Sequence, residues 1–236
     1  MEIMDYEGVS FGWRDMLMDT SKNGRKKKIS DGMLAAAERA YNEGLEVLTM
    51  RCIVELYTKE EEDENWLTIS GSGCFNEKLF IGPRIGYLSP ANEIAVALCT
   101  VGPGLVSLMN KYSAAEDYLV MYYLDVFGVR ALAEVSAKMR SHLESVAAEK
   151  GWGVGPSMQP GAVAGWAVEG QRDLYRLAHG EKIGLTLNDA SFLIPHISNS
   201  TLIGLGPHYG AAKVGSMCHE CPRKNACLWR RENVSE

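Results

Sequence analysis

The sequence predicts an α+β fold in which a bent, mostly antiparallel sheet packs against one long helix. Helical and extended patterns are interspersed without the regular strand and helix alternation of a doubly wound protein. One segment, from about Ser113 to Lys150, has the apolar spacing of a helix and contains one glycine and no proline. The apolar run Ile94 to Val101 is typical of a buried strand. A doubly wound parallel sheet is the alternative.

Length and composition are those of a soluble protein with a packed core. The chain has 236 residues, of which 46% are hydrophobic and 23% are charged, enough for one medium domain or two small ones. The net charge is −6, so no overall positive field attracts phosphate backbones. We therefore expect no nonspecific binding to nucleic acid.

The amino-terminal segment, residues 1–29, is polar and mixed and ends in a basic run, Arg25 to Lys28. We interpret it as a solvated arm or linker, with a docking contact for an acidic partner as the alternative. It lacks the basic start and apolar stretch of a secretory signal, and no apolar run approaches the ~20 residues of a membrane span. The sequence thus predicts a cytoplasmic protein without a membrane segment.

The first half of the chain then reads as a helix followed by strands. Ser30 or Asp31 caps a helix that we expect to end near Gly44. A strand pattern follows from Leu48 to Tyr57, and the acidic run Glu60 to Glu64 is interpreted as a solvated turn. Two further strands are expected at Trp66 to Ile69 and Leu79 to Ile81, with a hairpin turn between them at Gly71 to Gly73.

The second half holds the central strand, the long helix and a glycine-rich loop. The strand closes at Gly102 to Gly104, and the helix carries Asp125 inside its apolar stripe, where a carboxylate needs a partner or a helix end. Gly151 to Gly165 contains five glycines and two prolines, a composition that lets a ligand approach the backbone. This loop is the predicted small-molecule site. Helical spacing returns over Trp166 to Leu177. Short extended segments follow at Ile183 to Leu187, Ser191 to Ile194 and Thr201 to Leu205.

The carboxyl end carries the clearest chemical motif, Cys218-x2-Cys221-x5-Cys227. A Cys-x2-Cys turn can direct two sulfurs to a common centre, and the following loop can bring a third. The motif predicts a metal centre, either an iron-sulfur cluster or a zinc site completed by a histidine such as His208 or His219. Free thiols in a solvated tail are the remaining alternative.

Charged neighbours and the other cysteines refine that prediction. Four cations surround the tail thiols, and cations favour thiolates and anionic clusters. The remaining cysteines are scattered, and we interpret them as small buried hydrophobic residues rather than ligands. The cations are Arg223, Lys224, Arg230 and Arg231, and the scattered cysteines are Cys52, Cys74 and Cys99.

Several stretches together resemble the activation (reactivation) domain of vitamin B12-dependent methionine synthase, and still more its free-standing relatives. The resemblance covers roughly Ser30 to Gly206. It is carried by the order and spacing of Asn92 to Pro103 (NEIAVALCTVGP), Leu124 to Glu134 (LDVFGVRALAE) and Ile183 to Pro195 (IGLTLNDASFLIP), followed by Ser198 to Gly204.

The resemblance implies a C-shaped α/β unit that binds S-adenosylmethionine and docks over a corrinoid, so that cob(II)alamin can be reduced and remethylated. The family's adenosylmethionine loop carries an arginine and a Pro-Gly-Tyr sequence. Here Pro160 and Gly161 match, whereas Ser157 stands at the arginine position and Ala162 at the tyrosine position. Serine cannot hold a carboxylate as arginine does, and this departure argues against ordinary adenosylmethionine binding.

Together these observations predict an accessory protein of corrinoid-dependent methyl transfer that docks on a separate corrinoid protein. It would support reductive activation through a metal centre in the tail, an electron-transfer role. The alternatives are a noncatalytic corrinoid- or nucleotide-binding module with structural zinc, and an adenosylmethionine-binding protein with an altered loop. The division expected is an arm at 1–29, an activation-like domain at 30–206 and a cysteine-rich tail at 207–236. The predicted ligand residues are Met158, Gln159, Pro160, Gly161, Trp166 and Glu169, and the predicted metal ligands are Cys218, Cys221 and Cys227.

Overall fold

A computed structural model describes residues 1–18, 29–71, 73–221, 225 and 227 and confirms the predicted α+β class. The helices are α1 (Asp15–Met18), α2 (Asp31–Val47), α3 (Pro103–Ala114), α4 (Tyr118–Glu149) and α5 (Gln171–Leu177), with 3-10 turns at Ile85–Leu88, Val168–Gly170 and Gly180–Ile183. The strands are β1 (Glu2–Tyr6), β2 (Met50–Glu62), β3 (Trp66–Gly71), β4 (Cys74–Phe80), β5 (Glu93–Thr100), β6 (Gly153–Val154), β7 (Thr186–Leu187), β8 (Leu193–Ile194) and β9 (Ser198–Gly206).

The main sheet has seven strands in the order β4-β3-β2-β5-β9-β6, and β1 pairs with the first half of β2. Strands β7 and β8 form a separate two-stranded ladder. Every pairing between these named strands is antiparallel. The parallel, doubly wound alternative is therefore wrong.

Strand β5 lies at the centre of this sheet, between β2 and β9. Its two faces contribute to two separate cores, so nearly all of its side chains are buried and its sequence is an unbroken apolar run. Ala95 and Ala97 face the core shared with α2 and α4. Val96 and Leu98 face the opposite core, which the segment after the glycine-rich loop covers.

Helices α2 and α4 pack closely on the first face. Ser30 caps α2 as expected, with its hydroxyl accepting from the Met33 N–H at 3.3 Å. The helix continues past Gly44 to Val47, and Gly44 meets the ring of Phe127 on α4, where a Cβ would lie only 2.8 Å from the ring. Glycine here is a close-packing residue and not a helix end.

The long helix predicted from about Ser113 to Lys150 is confirmed as α4, and a separate helix, α3, precedes it. Helix α3 was not expected; it begins at Pro103, a residue that favours the first helical turn, directly after Gly102 at φ +82°. Helix α4 begins at Tyr118, where the Asp117 side chain accepts from the Val120 N–H at 3.2 Å. Asp125 is exposed, so its placement in the apolar stripe was wrong.

Two other expectations require correction. The acidic run Glu60 to Glu64 is a turn only at its end, because β2 continues through Glu62 and pairs with β3, and Asp63 and Glu64 lie in the connection between these strands. Part of the expected arm is strand β1, which adds to the sheet edge, and Met16 of α1 is fully buried. The basic run Arg25 to Lys28 lies outside the described residues, and the division of the chain at 30 and 206 stays a prediction.

The hairpin expected around Gly71 to Gly73 is confirmed, because Gly71 pairs with Cys74 across β3 and β4. Ser72 of that turn is not among the described residues. No helix in the described part of the chain is both long enough and apolar enough to span a membrane.

Candidate functional site

A cavity of about 360 Å³ lies where the long helix, the glycine-rich loop and the start of the tail meet. A volume of this size suits a small organic ligand. Three chain segments and one strand residue form its walls. Its lining residues are Val129, Leu132, Ala133, Ser136, Arg140, Ser157, Gln159, Ala162, Val163, Asn199, Ser216, Met217, Cys218 and Cys221.

The α4 wall is one stripe of the helix, since its five lining residues recur three, four, seven and eleven positions after Val129. The first part of the stripe is apolar and its end is polar. The Ser136 hydroxyl donates to the Leu132 carbonyl at 2.7 Å and accepts from the Asn199 Nδ2 of β9 at 2.9 Å. These bonds fix the polar end of the wall against the sheet.

The loop wall is held against β9 by backbone and hydroxyl hydrogen bonds. Met158 and Leu202 exchange both backbone hydrogen bonds, each at 2.9 Å. The hydroxyls of Ser157 and Thr201 lie 2.7 Å apart. Because successive residues of extended chain point to opposite sides, Ser157 and Gln159 line the cavity, whereas Met158 enters the second core.

The tail wall is a short turn that contains the first two cysteines of the motif. The Cys218 N–H donates to the Ser216 hydroxyl at 3.1 Å, and the Cys221 N–H donates to the Cys218 carbonyl at 3.4 Å. Glu220 pairs with Arg84 at 2.8 Å, which ties the turn to the loop before the central strand. Cys218 and Cys221 are half-buried and form no disulfide.

The lining carries one cationic side chain, Arg140, and no carboxylate among the described residues. The rest of the wall is apolar or bears hydroxyl, amide and thiol groups. Such a cavity favours a ligand with an apolar body and a negatively charged group.

Of the predicted ligand residues, the structure places only Gln159 in the cavity wall. Met158, Pro160 and Trp166 are buried elsewhere, and Gly161 and Glu169 are exposed. The Gly161 N–H donates to the Trp166 carbonyl at 2.8 Å, so these two residues shape the loop. The loop is therefore part of the cavity wall, and the backbone bonds of Met158, Gly161 and Trp166 hold its conformation, while the ligand role of the six residues stays a prediction.

Of the predicted metal ligands, Cys218 and Cys221 line the cavity together, whereas Cys227 is not part of its wall. Across the described ranges, no three or more histidine, cysteine, aspartate or glutamate side chains form a metal-binding group. The donor set thus fits a soft metal in part, with two thiols on one turn. The cations Arg223, Lys224, Arg230 and Arg231 lie outside the residues that the structure describes.

The sequence reasoning missed the polar residues of α4 and β9, namely Ser136, Arg140 and Asn199. A signal for two of them was present, since Ser136 and Arg140 continue the helical spacing of Val129, Leu132 and Ala133. The sequence could not show which segments of the chain pack opposite that stripe of α4.

Comparison with known proteins identifies the fold. No protein-family model and no curated protein sequence matches the chain. Among solved structures, the chain is similar to the MetH reactivation domain bound to AdoHcy, with a TM-score of 0.58 and 14% sequence identity. The match covers 90% of this chain and 81% of that domain. The chain therefore has a fold similar to that of the MetH reactivation domain.

Proposed function

We propose that this chain is an accessory protein of corrinoid-dependent methyl transfer, and that its cavity binds an adenosyl amino acid. The observation that carries the proposal is the cavity between α4 and the glycine-rich loop, with Arg140 as its cation. It lies on a fold shared with a domain solved with AdoHcy. The resemblance seen in the sequence implies the same ligand class, apart from the departures at Ser157 and Ala162, and a corrinoid protein as the partner.

Arg140 answers the main objection to such a ligand, which is the serine at position 157. A guanidinium binds a carboxylate through two parallel charge-assisted hydrogen bonds, and no serine can do so. Here the cation comes from α4 and not from the loop, but both belong to the wall of one cavity. The apolar stripe that begins at Val129 offers a surface for an adenine ring, and Ser157 and Gln159 offer hydrogen-bonding groups.

Calorimetric titration with AdoHcy and with 5′-methylthioadenosine tests this assignment. The second compound keeps the adenosine and the thioether but lacks the amino acid, so the wild type should bind it more weakly. Arg140→Met should weaken AdoHcy binding about 10- to 100-fold and leave the affinity for methylthioadenosine nearly unchanged. Arg39→Met, which removes an exposed charge from α2, is the matched control.

Two results would overturn the assignment. If neither compound binds the wild type, the cavity is not an adenosyl site. If Arg140→Met weakens both compounds equally, Arg140 supports the cavity but does not hold the carboxylate.

For the tail we propose a metal centre held by Cys218, Cys221 and Cys227. The support is the donor set itself and the position of two of its thiols in the cavity wall. A redox-active iron-sulfur cluster there would relay one electron from an external low-potential reductant to the partner's corrinoid, as reductive activation needs. Redox-inactive zinc would instead give the tail a purely structural role in a noncatalytic binding module.

Iron, zinc and acid-labile sulfide should be measured in protein purified without oxygen. We expect iron and sulfide in near-equal amounts, a visible band that dithionite bleaches, and loss of both in Cys221→Ala. Met217→Leu, in the same segment, should retain them. Stoichiometric zinc would exclude electron transfer through the tail, and metal retained in Cys221→Ala would refute the ligand set.

A further inference from the structure

Two cysteines that the cavity does not include meet at the centre of the sheet. Cys52 of β2 and Cys99 of β5 are direct partners in the antiparallel register. Both side chains are completely buried, on the face of the sheet that packs against the helices. The two thiols also interact, since Cys52 raises the pKa of Cys99.

The ladder fixes which kind of pair they form. In antiparallel sheets, each residue directs both backbone groups to one neighbouring strand, and successive residues alternate. Leu202 of β9 exchanges both backbone hydrogen bonds with Met158, so its backbone N–H and C=O groups point away from β5. Odd-numbered residues of β9 therefore bond to β5, which places the Cys99 backbone groups toward Asn199 and not toward Cys52.

Cys52 and Cys99 thus occupy a non-hydrogen-bonded pair, the closer of the two kinds. The Lys59 N–H donates to the Asn92 carbonyl, so these two residues bond across β2 and β5. Cys52 lies seven positions from Lys59 in the same register, and this odd number of steps makes its pair with Cys99 non-hydrogen-bonded. At such a pair the Cα atoms lie about 4.5 Å apart and the side chains are close. A disulfide accepts Cα separations of about 4.4 to 6.8 Å, so this pair can be bridged without moving the backbone.

The surroundings of the pair connect it with the cavity and with the sheet edge. Ser136 and Arg140, both cavity residues, interact with Cys99 and favour its thiolate, while Cys52 and burial raise the pKa of Cys99 well above the ordinary value. On the other side, the Cys52 thiol lies 3.9 Å from the Tyr6 hydroxyl of β1. Opening of the five-residue edge strand β1 would remove the cover that Tyr6 provides on that side of Cys52.

We propose that Cys52 and Cys99 are a redox site that peroxides or low-molecular-weight disulfides oxidise to a cross-strand disulfide. With hydrogen peroxide, the two thiols lose two protons and two electrons to form one S–S bond, and the peroxide becomes two waters. With a small disulfide, thiolate exchange passes through a mixed disulfide and releases two small thiols. A dithiol reductant reverses either reaction. The proposal requires neither the adenosyl ligand nor any metal in the tail.

Peptide mass spectrometry after treatment of the native, metal-free chain with hydrogen peroxide tests the proposal. Under denaturing alkylation, trypsin releases Cys52 in peptide 52–59 and Cys99 in peptide 85–111. We expect these two peptides joined, with two hydrogens lost, and separated again by dithiothreitol. The joined species should be absent from Cys52→Ala and Cys99→Ala and unchanged in Cys218→Ala.

A second readout does not depend on those variants folding. The disulfide closes a loop between residues 52 and 99, so oxidised wild type should melt roughly 5 to 10 °C above the reduced protein. Recovery of both cysteines as separate alkylated thiols, while the tail cysteines oxidise, would overturn the proposal. So would pairing of either cysteine with a tail cysteine. Failure of AdoHcy to bind would leave this proposal standing, because no residue of the pair lines the cavity.

Discussion

The two cysteine pairs of this chain have the same functional group and opposite surroundings. Cys52 and Cys99 come from different strands and are fully buried, whereas Cys218 and Cys221 share one turn and line a cavity. The sheet holds the first pair, and a few polar contacts hold the second. Burial in the sheet therefore limits the first pair to reaction after local opening, whereas the second pair is accessible from the cavity.

The largest expected difference between the pairs is their rate of alkylation. Iodoacetamide should modify Cys218 and Cys221 in the native protein at least about 10³-fold faster than Cys52 and Cys99, because the buried pair reacts only from opened states. Raising the pH to 9 should leave this contrast in place, because the buried pair still reacts only from opened states. Time-resolved peptide mass spectrometry measures the four rates.

The same reaction in urea is the control, and there all four cysteines should react at similar rates. Equal rates in the native protein would mean that the sheet opens readily around Cys52 and Cys99. Burial in the sheet would then not protect Cys52 and Cys99 more than the turn protects Cys218 and Cys221.

Truncation of one thiol from each pair should separate them by stability. Cys99→Ala leaves a void in the central strand and should lower the free energy of unfolding by about 1 to 2 kcal/mol. Cys218→Ala, made in metal-free protein, should change it by less than about 0.5 kcal/mol. Urea unfolding of both variants beside the wild type gives the comparison, and a loss for Cys218→Ala as large as that for Cys99→Ala would contradict it.

The fold was predictable where local pattern and burial agree. The run Ile94 to Val101 is apolar on both faces because β5 is covered by two cores, and its position at the centre followed directly. Helix α3 was missed because the Gly102-Pro103-Gly104 break reads as a loop, although proline also suits a first helical turn. Asp125 was misplaced because spacing alone does not fix where one face of a long helix ends.

The candidate site was only partly predictable, since its walls are far apart in sequence. The loop and the cysteine turn were identified separately from glycine content and thiol spacing. That they line one cavity with Arg140 depends on how α4 crosses the sheet, which no local pattern records. The pairing of Cys52 with Cys99 depends likewise on strand register, and the two cysteines are 47 positions apart in the sequence.

A smaller effect is expected from Tyr6, whose hydroxyl lies beside the buried pair. Burial, with Cys52 and Cys99 nearby, raises the pKa of Tyr6 in the folded protein above its ordinary value of 10.0. The folded state then holds this proton more tightly than the unfolded state does. The resulting stability is complete below about pH 10 and is lost as the pH rises above it.

Tyr6→Phe removes this titration and so isolates it from the other tyrosines. Between pH 9 and 11 the wild type should lose more stability than Tyr6→Phe, by less than about 1 kcal/mol after allowance for solvent screening. Tyr118→Phe, at an exposed position, should follow the wild type. Urea unfolding curves at the two pH values measure the difference. Identical losses of stability in wild type and Tyr6→Phe would show that the pKa of Tyr6 is not raised by its position beside the cysteine pair.

The smallest effect concerns the tether of the cysteine turn. Glu220→Gln removes the ion pair with Arg84, which is partly exposed and worth less than about 0.5 kcal/mol of global stability. The turn should nevertheless open more often, so alkylation of Cys218 and Cys221 should rise roughly 2- to 3-fold, as a free-energy change of that size permits. Cys52 and Cys99 should not respond, because the sheet and not the turn protects them. Glu181→Gln, at an exposed site, is the control, and a matching rise at the buried pair would show that the two regions open together.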